Sequence, residues 1–228
     1  MNFYFHLLFF FISLGVPILS CKHDSRTEDK VQPKIALDSL SSNEVKRIVS
    51  QDRTIWQKPY TIIEMLGDIS NKTIADIGAG SGYFSFRFVF KAKKVIAIDI
   101  EKQLIDMMNN EKSYYAKEIQ DKFEARLATP TDSKLNDQEA DIVFISNTYT
   151  YIDNRVAYLK SLYPKISSKG KIMIIDFKKK LTPIGPDQKD RLAQIEVEQE
   201  LLNAGYQIES SDDTSLDYQY IIIARKKE

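Results

Sequence analysis

Three glycines, Gly78, Gly80 and Gly82, fall within "TIADIGAGSGYFSFRF" (residues 73–88), directly after an apolar run, and Asp76 stands two positions before the first of them. A glycine loop at the end of a strand brings backbone N–H groups close to a bound nucleotide. A dinucleotide fingerprint requires G-x-G-x-x-G. Here the third glycine comes one residue early, and Tyr83 stands five after Gly78. Asp76 also argues against a diphosphate, because a carboxylate aimed at one meets Coulomb repulsion. The same carboxylate beside an ammonium group is favourable. A second acid, Asp99, lies near the end of the next apolar run, "KVIAIDI", where it can accept hydrogen bonds from both hydroxyls of a ribose. Acid, glycine loop and second acid suit a nucleoside that carries a cationic amino-acid tail.

The rest of the composition narrows the chemistry. The only cysteine is Cys21 and the only histidines are His6 and His23. From residue 24 onward there is neither thiol nor imidazole, which removes Ser-His-Asp and Cys-His catalysis, Cys/His zinc sites and disulfides. No metal is expected. The 32 basic residues balance 32 acidic ones, so nucleic acid is not an expected partner.

The elements that must hold these residues alternate along the chain. A helical region over 44–66 precedes the strand "TIADIG", and a helix over 82–92 leads to "KVIAIDI". A helix over 101–118, a strand at "KFEARLA", a fourth at "ADIVFISNTY", the helix "NRVAYLKSLYPKI" and a fifth strand at "GKIMIIDF" follow. The helix "KDRLAQIEVEQELLNAGY" reaches a glycine at its end, and "QIESSD" and "DYQYIIIARK" close the chain as an antiparallel pair. Four of the strands are near-continuous Val/Ile/Ala/Phe runs, which marks strands covered on both faces. The pattern predicts a doubly wound, mostly parallel seven-stranded α/β sheet with an antiparallel C-terminal hairpin. Its ligand site belongs at the carboxyl ends of the strands, where strand order reverses.

"ADIGAGSGYF" and "VIAIDI" resemble motifs I and II of the class I S-adenosylmethionine-dependent methyltransferases. The likeness extends from about Arg53 to Lys226 through "RTIWQKPY", "GKIMIIDF" and "LLNAGYQI". The resemblance implies S-adenosylmethionine as cofactor. Asp76 would then bind the methionine ammonium through water, Gly78, Gly80 and Gly82 would admit the cofactor to the backbone, and Asp99 would hold the ribose. Thr131 and Asp132, in the loop after the third strand, are adenine candidates. Asn147 and Thr148 would line the wall facing the sulfonium, with Asn147 as a cofactor contact. Thr148, Tyr149 and Tyr151 are candidates to touch a small-molecule acceptor. Related enzymes often carry histidines in this stretch, where this chain has Thr150 and Tyr151, so no catalytic base is assigned.

The N-terminus reads separately. "MNFYFHLLFFFISLGVPILSC" has an apolar core from Leu7 to Leu19, shorter than the roughly 20 residues of a spanning helix. Ile18-Leu19-Ser20-Cys21 resembles a bacterial lipoprotein box. The expected organisation is a signal peptide over 1–20, a lipidated Cys21 and flexible tether over 21–42, and the methyltransferase domain over 43–228, held at the membrane of the cell envelope. An alternative is an uncleaved inner-membrane anchor with the domain facing the cytoplasm, because Lys22, Arg26, Lys30 and Lys34 all follow the apolar core. A second functional class stays open beside the enzyme: a non-catalytic lipoprotein module that keeps the fold. A nicotinamide-dependent oxidoreductase is disfavoured by the glycine spacing.

Overall fold

The computed structural model describes residues 53–227. The expected signal peptide, Cys21, the tether and the start of the helical region at Glu44 lie outside the described residues. Seven strands form one sheet: β1 (Thr73–Ile77), β2 (Lys94–Asp99), β3 (Phe123–Leu127), β4 (Ala140–Ser146), β5 (Ile166–Phe177), β6 (Tyr206–Asp212) and β7 (Gln219–Lys226). Their order is β3-β2-β1-β4-β5-β7-β6. The first five strands pair in parallel, and β7 runs antiparallel to both β5 and β6. The expected doubly wound sheet with its antiparallel closing hairpin is therefore present. Strand order reverses between β1 and β4, which puts the glycine loop at the crevice that such sheets open there.

The helices are α1 (Pro59–Met65), α2 (Ser85–Phe88), α3 (Lys102–Lys112), α4 (Lys117–Gln120), α5 (Arg155–Leu162) and α6 (Gln194–Asn203). Several depart from the sequence pattern, among them α6, which begins at Gln194 and not at Lys189. The helical region expected to end at 66 is interrupted at Lys58, which takes φ 45° and ψ 58°. The ring of Pro59 disfavours the helical conformation at the residue before it, so residues 53–57 and α1 form two separate helical pieces. The helix expected over 82–92 keeps one α-helical turn, and that expected over 101–118 divides into α3 and α4. Helix α6 stops where a glycine was expected to stop it, with Gly205 at φ 95° just beyond the cap.

Apolar side chains alternate to both sheet faces. Ala75, Ile96, Ile172 and Ile174 pack with Leu159 and Leu162 of α5 and with Val197 and Leu201 of α6. On the other face Ile74, Val95, Phe144 and Met173 pack with Ile62 and Ile63 of α1, Phe88 of α2 and Met108 of α3. Among the described residues no helix is long and apolar enough to cross a membrane.

A polar clamp joins the two layers on the α5–α6 side. The short turn Tyr149–Tyr151 after β4 buries Tyr149 fully, and the Tyr149 hydroxyl donates to Glu200 Oε2 at 2.6 Å. Arg155 donates to the same carboxylate from Nε and Nη2 at 2.9 and 2.8 Å. Burial, reinforced by the Glu200 carboxylate, pushes the Tyr149 phenol well above the ordinary tyrosine range, so it stays a donor. Tyr149→Phe removes one charge-assisted bond and keeps the ring, and should lower stability by about 1–3 kcal/mol. Denaturant unfolding checks this, and an unchanged midpoint would show that the clamp carries no stability.

Candidate active site

The loop after β1 is fixed by backbone bonds to the end of β2. The N–H groups of Gly78 and Ala79 both donate to the Ile98 carbonyl, at 2.9 and 3.0 Å. Gly78 takes φ 70°, and a Cβ at this position would lie 2.3 Å from Cγ2 and Oγ1 of Thr148. Only glycine meets both the left-handed backbone and the close approach of the loop after β4. Gly80 donates its N–H to Asp99 Oδ2 at 2.8 Å, while Asp99 Oδ1 accepts the Glu101 N–H at 3.1 Å. A carboxylate offers about four acceptor sites, so each Asp99 oxygen keeps acceptor capacity beyond these two bonds.

A cavity of about 250 Å³ opens beside this loop. Four of the residues singled out from the sequence line it: Gly78, Asp99, Thr148 and Tyr151. Ile77, Ile98 and Ala128 supply apolar lining, and Thr129, Pro130, Asp153 and Tyr158 extend it. The volume falls below the roughly 300–1,000 Å³ of a complete small-molecule site. The enclosed part thus fits a portion of a nucleoside-containing ligand.

Asp76 sits beneath the loop, 3% exposed. Its Oδ2 accepts the Ser85 hydroxyl at 2.6 Å. Burial pushes its carboxyl up to about 6, against the opposing pull of the Ser85 bond and of the Arg53 charge. The Arg53 guanidinium lies over the Tyr83 ring, 4.0 Å from its centroid. Asp76 and Gly82 do not line the cavity, and Gly80 reaches it only through its bond to Asp99.

Four other positions fall elsewhere than the sequence reading placed them. Thr129 and Asp132 pair across a tight turn, with their N–H groups each donating to the other's carbonyl. That turn gives Thr129 and Pro130 to the cavity and carries Thr131 and Asp132 to the exposed side. Asp132 accepts the backbone N–H and Nζ of Lys134 at 2.8 and 2.7 Å, bonds that hold its carboxyl below the usual carboxylate range. Asn147 takes φ 58°, and its Oδ1 accepts Gln219 Nε2. That bond ties its side chain to β7 rather than to the cavity. Tyr149 is committed to Glu200 in the core, away from any acceptor. The apolar lining went unnoticed because a strand-end isoleucine in a continuous apolar run carries no mark of which end of the sheet it faces. Thr129 and Pro130 stand in the same loop, two residues before Thr131 and Asp132.

Among curated proteins none matches the chain. A family model described as a methyltransferase domain matches residues 68–224. Solved structures with the same fold include a S-adenosylmethionine-dependent methyltransferase from Aquifex aeolicus, 20% identical, covering 81% of this chain and 98% of its own at a TM-score of 0.72. A putative S-adenosylmethionine-dependent methyltransferase from Listeria monocytogenes is 17% identical, covering 76% and 98% at 0.59. The glycopeptide N-methyltransferase MtfA, crystallised with S-adenosylmethionine, is 14% identical and covers 75% and 93% at 0.63. With a family match over most of its length and this glycine loop at the switch point of its sheet, the chain belongs to the methyltransferase domain family, whose cofactor is S-adenosylmethionine.

Proposed function

We propose that this chain transfers a methyl group from S-adenosylmethionine to a small-molecule acceptor while tethered to a membrane through Cys21. The observation that carries the cofactor geometry is Asp99 on the cavity wall, pre-oriented by the Gly80 and Glu101 N–H groups. Asp99 accepts the ribose hydroxyls with the acceptor capacity its backbone bonds leave free. Ile77, Ile98 and Ala128 give the apolar surface on which a base packs, and Thr129 and Pro130 take the place first given to Thr131 and Asp132. Asp76 attracts the ammonium group through water. The bound cofactor supplies a sulfonium-activated methyl. Thr148 and Tyr151 flank the transfer path, and the protein's task is alignment in a site closed to water, which contributes several kcal/mol without a dedicated base. The tether reading rests on the sole cysteine of the chain, which follows Ile18-Leu19-Ser20 at the end of an apolar segment.

Asp99→Ala should weaken S-adenosylmethionine binding by about 1–3 kcal/mol, the loss of charge-assisted bonds to the ribose. Calorimetry reads this directly. Unchanged affinity in the variant would remove Asp99 from the ribose, and no binding by the unaltered chain would end the enzyme reading.

Asp76 gives a pH dependence of defined sign. Its folded-state value of about 6 lies above the reference 3.8, so folding favours its protonated form. Its contribution to the stability of the free protein therefore rises as pH falls from above 6 toward 3.8. Cofactor affinity runs the opposite way, because the ammonium attracts only the ionised carboxylate. The dissociation constant should rise as pH drops through about 6, and Asp76→Asn should bind more weakly with that dependence abolished. A pH-independent affinity in the unaltered protein would separate Asp76 from the ammonium.

For the tether, Cys21→Ser should abolish incorporation of labelled lipid in cells while the domain stays folded. Labelling that survives the substitution would refute lipidation at Cys21. Protease accessibility of the domain in intact and permeabilised cells then distinguishes the envelope from the cytoplasmic face.

A further inference from the structure

The segment after β5, residues 178–193, is held rigid from within. Arg191, 4% exposed, donates to the carbonyls of Lys178 at 3.1 Å, Lys180 at 2.8 Å, Ile184 at 3.2 Å and Pro186 at 2.8 Å. Its guanidinium also lies 5.3 Å from the Phe177 ring centroid. The backbone of three consecutive lysines is thereby fixed at the carboxyl end of β5. Lys178, Lys179 and Lys180 line a second cavity, of about 320 Å³, together with Gln194 at the start of α6, Asp213 and Tyr220.

Two features of this cavity call for a ligand. Its three cations outnumber the one carboxylate on its lining, Asp213: Lys178 Nζ donates to the Leu216 and Asp217 carbonyls at 2.7 and 3.4 Å, Lys179 approaches Glu196 only to 3.9 Å, and Lys180 has no ion pair among the described residues. Burial, then the neighbouring Lys180 charge, lowers the Lys178 ammonium below its ordinary range. Independently, the Tyr220 hydroxyl is buried without a hydrogen-bond partner, in a residue 1% exposed. A buried hydroxyl left unpaired costs free energy that a bound acceptor atom would recover. The ten-residue α6 begins on the same wall, with Glu196 of its first turn accepting the Ala193 N–H at 2.6 Å.

The cavity shares the active-site edge of the sheet. Tyr220 is the cross-strand partner of Asp176 on β5, and Asp176 Oδ2 accepts the N–H of Thr150 at 3.2 Å. Thr150 belongs to the turn whose next residue, Tyr151, lines the cofactor cavity. We propose that Lys178, Lys179, Lys180, Gln194 and Tyr220 form a subsite for the carboxylate or phosphate group of an acidic methyl acceptor. This rests on the methyltransferase reading above and names its substrate class.

The test is a titration of the full-length, cofactor-saturated chain with inorganic phosphate and, separately, with acetate, followed by amide chemical shifts. Saturable shifts centred on residues 178–180, 194 and 220 are expected. Lys179→Ala/Lys180→Ala should weaken them about tenfold. Tyr220→Phe removes a hydroxyl that has no partner in the fold, and should weaken binding without loss of stability. A response to phosphate alone assigns a phosphorylated acceptor, and a response to acetate alone assigns a carboxylate. Absent or unsaturable shifts, shifts centred elsewhere, or affinities unchanged in both variants would overturn the subsite. So would a methylated product recovered only in material that an anion exchanger fails to retain. Cofactor titration of the same samples is a separate readout: retained cofactor affinity with no anion binding removes the subsite and leaves the methyltransferase reading standing.

Discussion

The bond from Gly80 to Asp99 is the constraint on which the site depends. It joins the loop after β1 to the last residue of the neighbouring β2, beside the crevice where strand order reverses between β1 and β4. The Gly78 and Ala79 N–H groups, both on the Ile98 carbonyl, set the same loop from below. A carboxylate held by two backbone donors cannot rotate freely, so the ordering cost of using it is met during folding and not during binding. The conformation has a steric condition as well. Thr148 fills the space that a Cβ at residue 78 would need, so the loops after β1 and β4 fit together only around a glycine.

Electrostatics at the carboxyl edge is organised by buried carboxyls on opposite faces of the sheet. Asp76 and Asp176 are each 3% exposed, and burial pushes each up to about 6. They are stabilised by different means. Asp76 has a hydroxyl bond from Ser85 and the charge of Arg53 nearby. Asp176 has the N–H groups of Phe177 and Thr150, with Arg191 as its nearest helpful charge. Negative charge that is only partly offset is a standing cost to the fold. Such a group near a ligand site stores a preference for a cationic partner, which suits Asp76. Asp176 serves geometry: through Thr150 it fixes the turn that carries Tyr151 to the cavity.

Much of this was legible in the sequence, and the failures share a cause. Continuous apolar runs identified the parallel strands because burial on both faces leaves no alternation to misread. Glycine spacing and two acids pointed to the carboxyl edge of the sheet, where a cavity lined by Gly78 and Asp99 opens. The expectation of one helical region over 44–66 passed over Pro59, although the rule that disfavours helix at the residue before a proline is local. Asn147, Tyr149, Thr131 and Asp132 do not line the cavity, for a reason that is not local. Each lies in a loop correctly placed at the carboxyl edge, yet side-chain direction there is set by partners distant in sequence: Gln219 for Asn147, and Glu200 for Tyr149. For the loop after β3 the deciding element is a pairing of Thr129 with Asp132, which no composition rule foresees.

The absence of cysteine and histidine beyond residue 23 then acquires a structural meaning. The carboxyls with raised values near the site are already engaged, Asp76 by Ser85 and Asp176 by two backbone N–H groups. Burial pushes the Tyr149 and Tyr220 phenols far above the ordinary tyrosine range, so both stay protonated and neither supplies a phenolate base. Neither raised carboxyl lines the cavity, and general-base catalysis demands a base within reach of the acceptor. Gly78, Asp99, Thr148 and Tyr151 are among the residues that line the cavity. Under the proposed function, rate comes from alignment and exclusion of water, which suits an acceptor whose reacting atom is already nucleophilic.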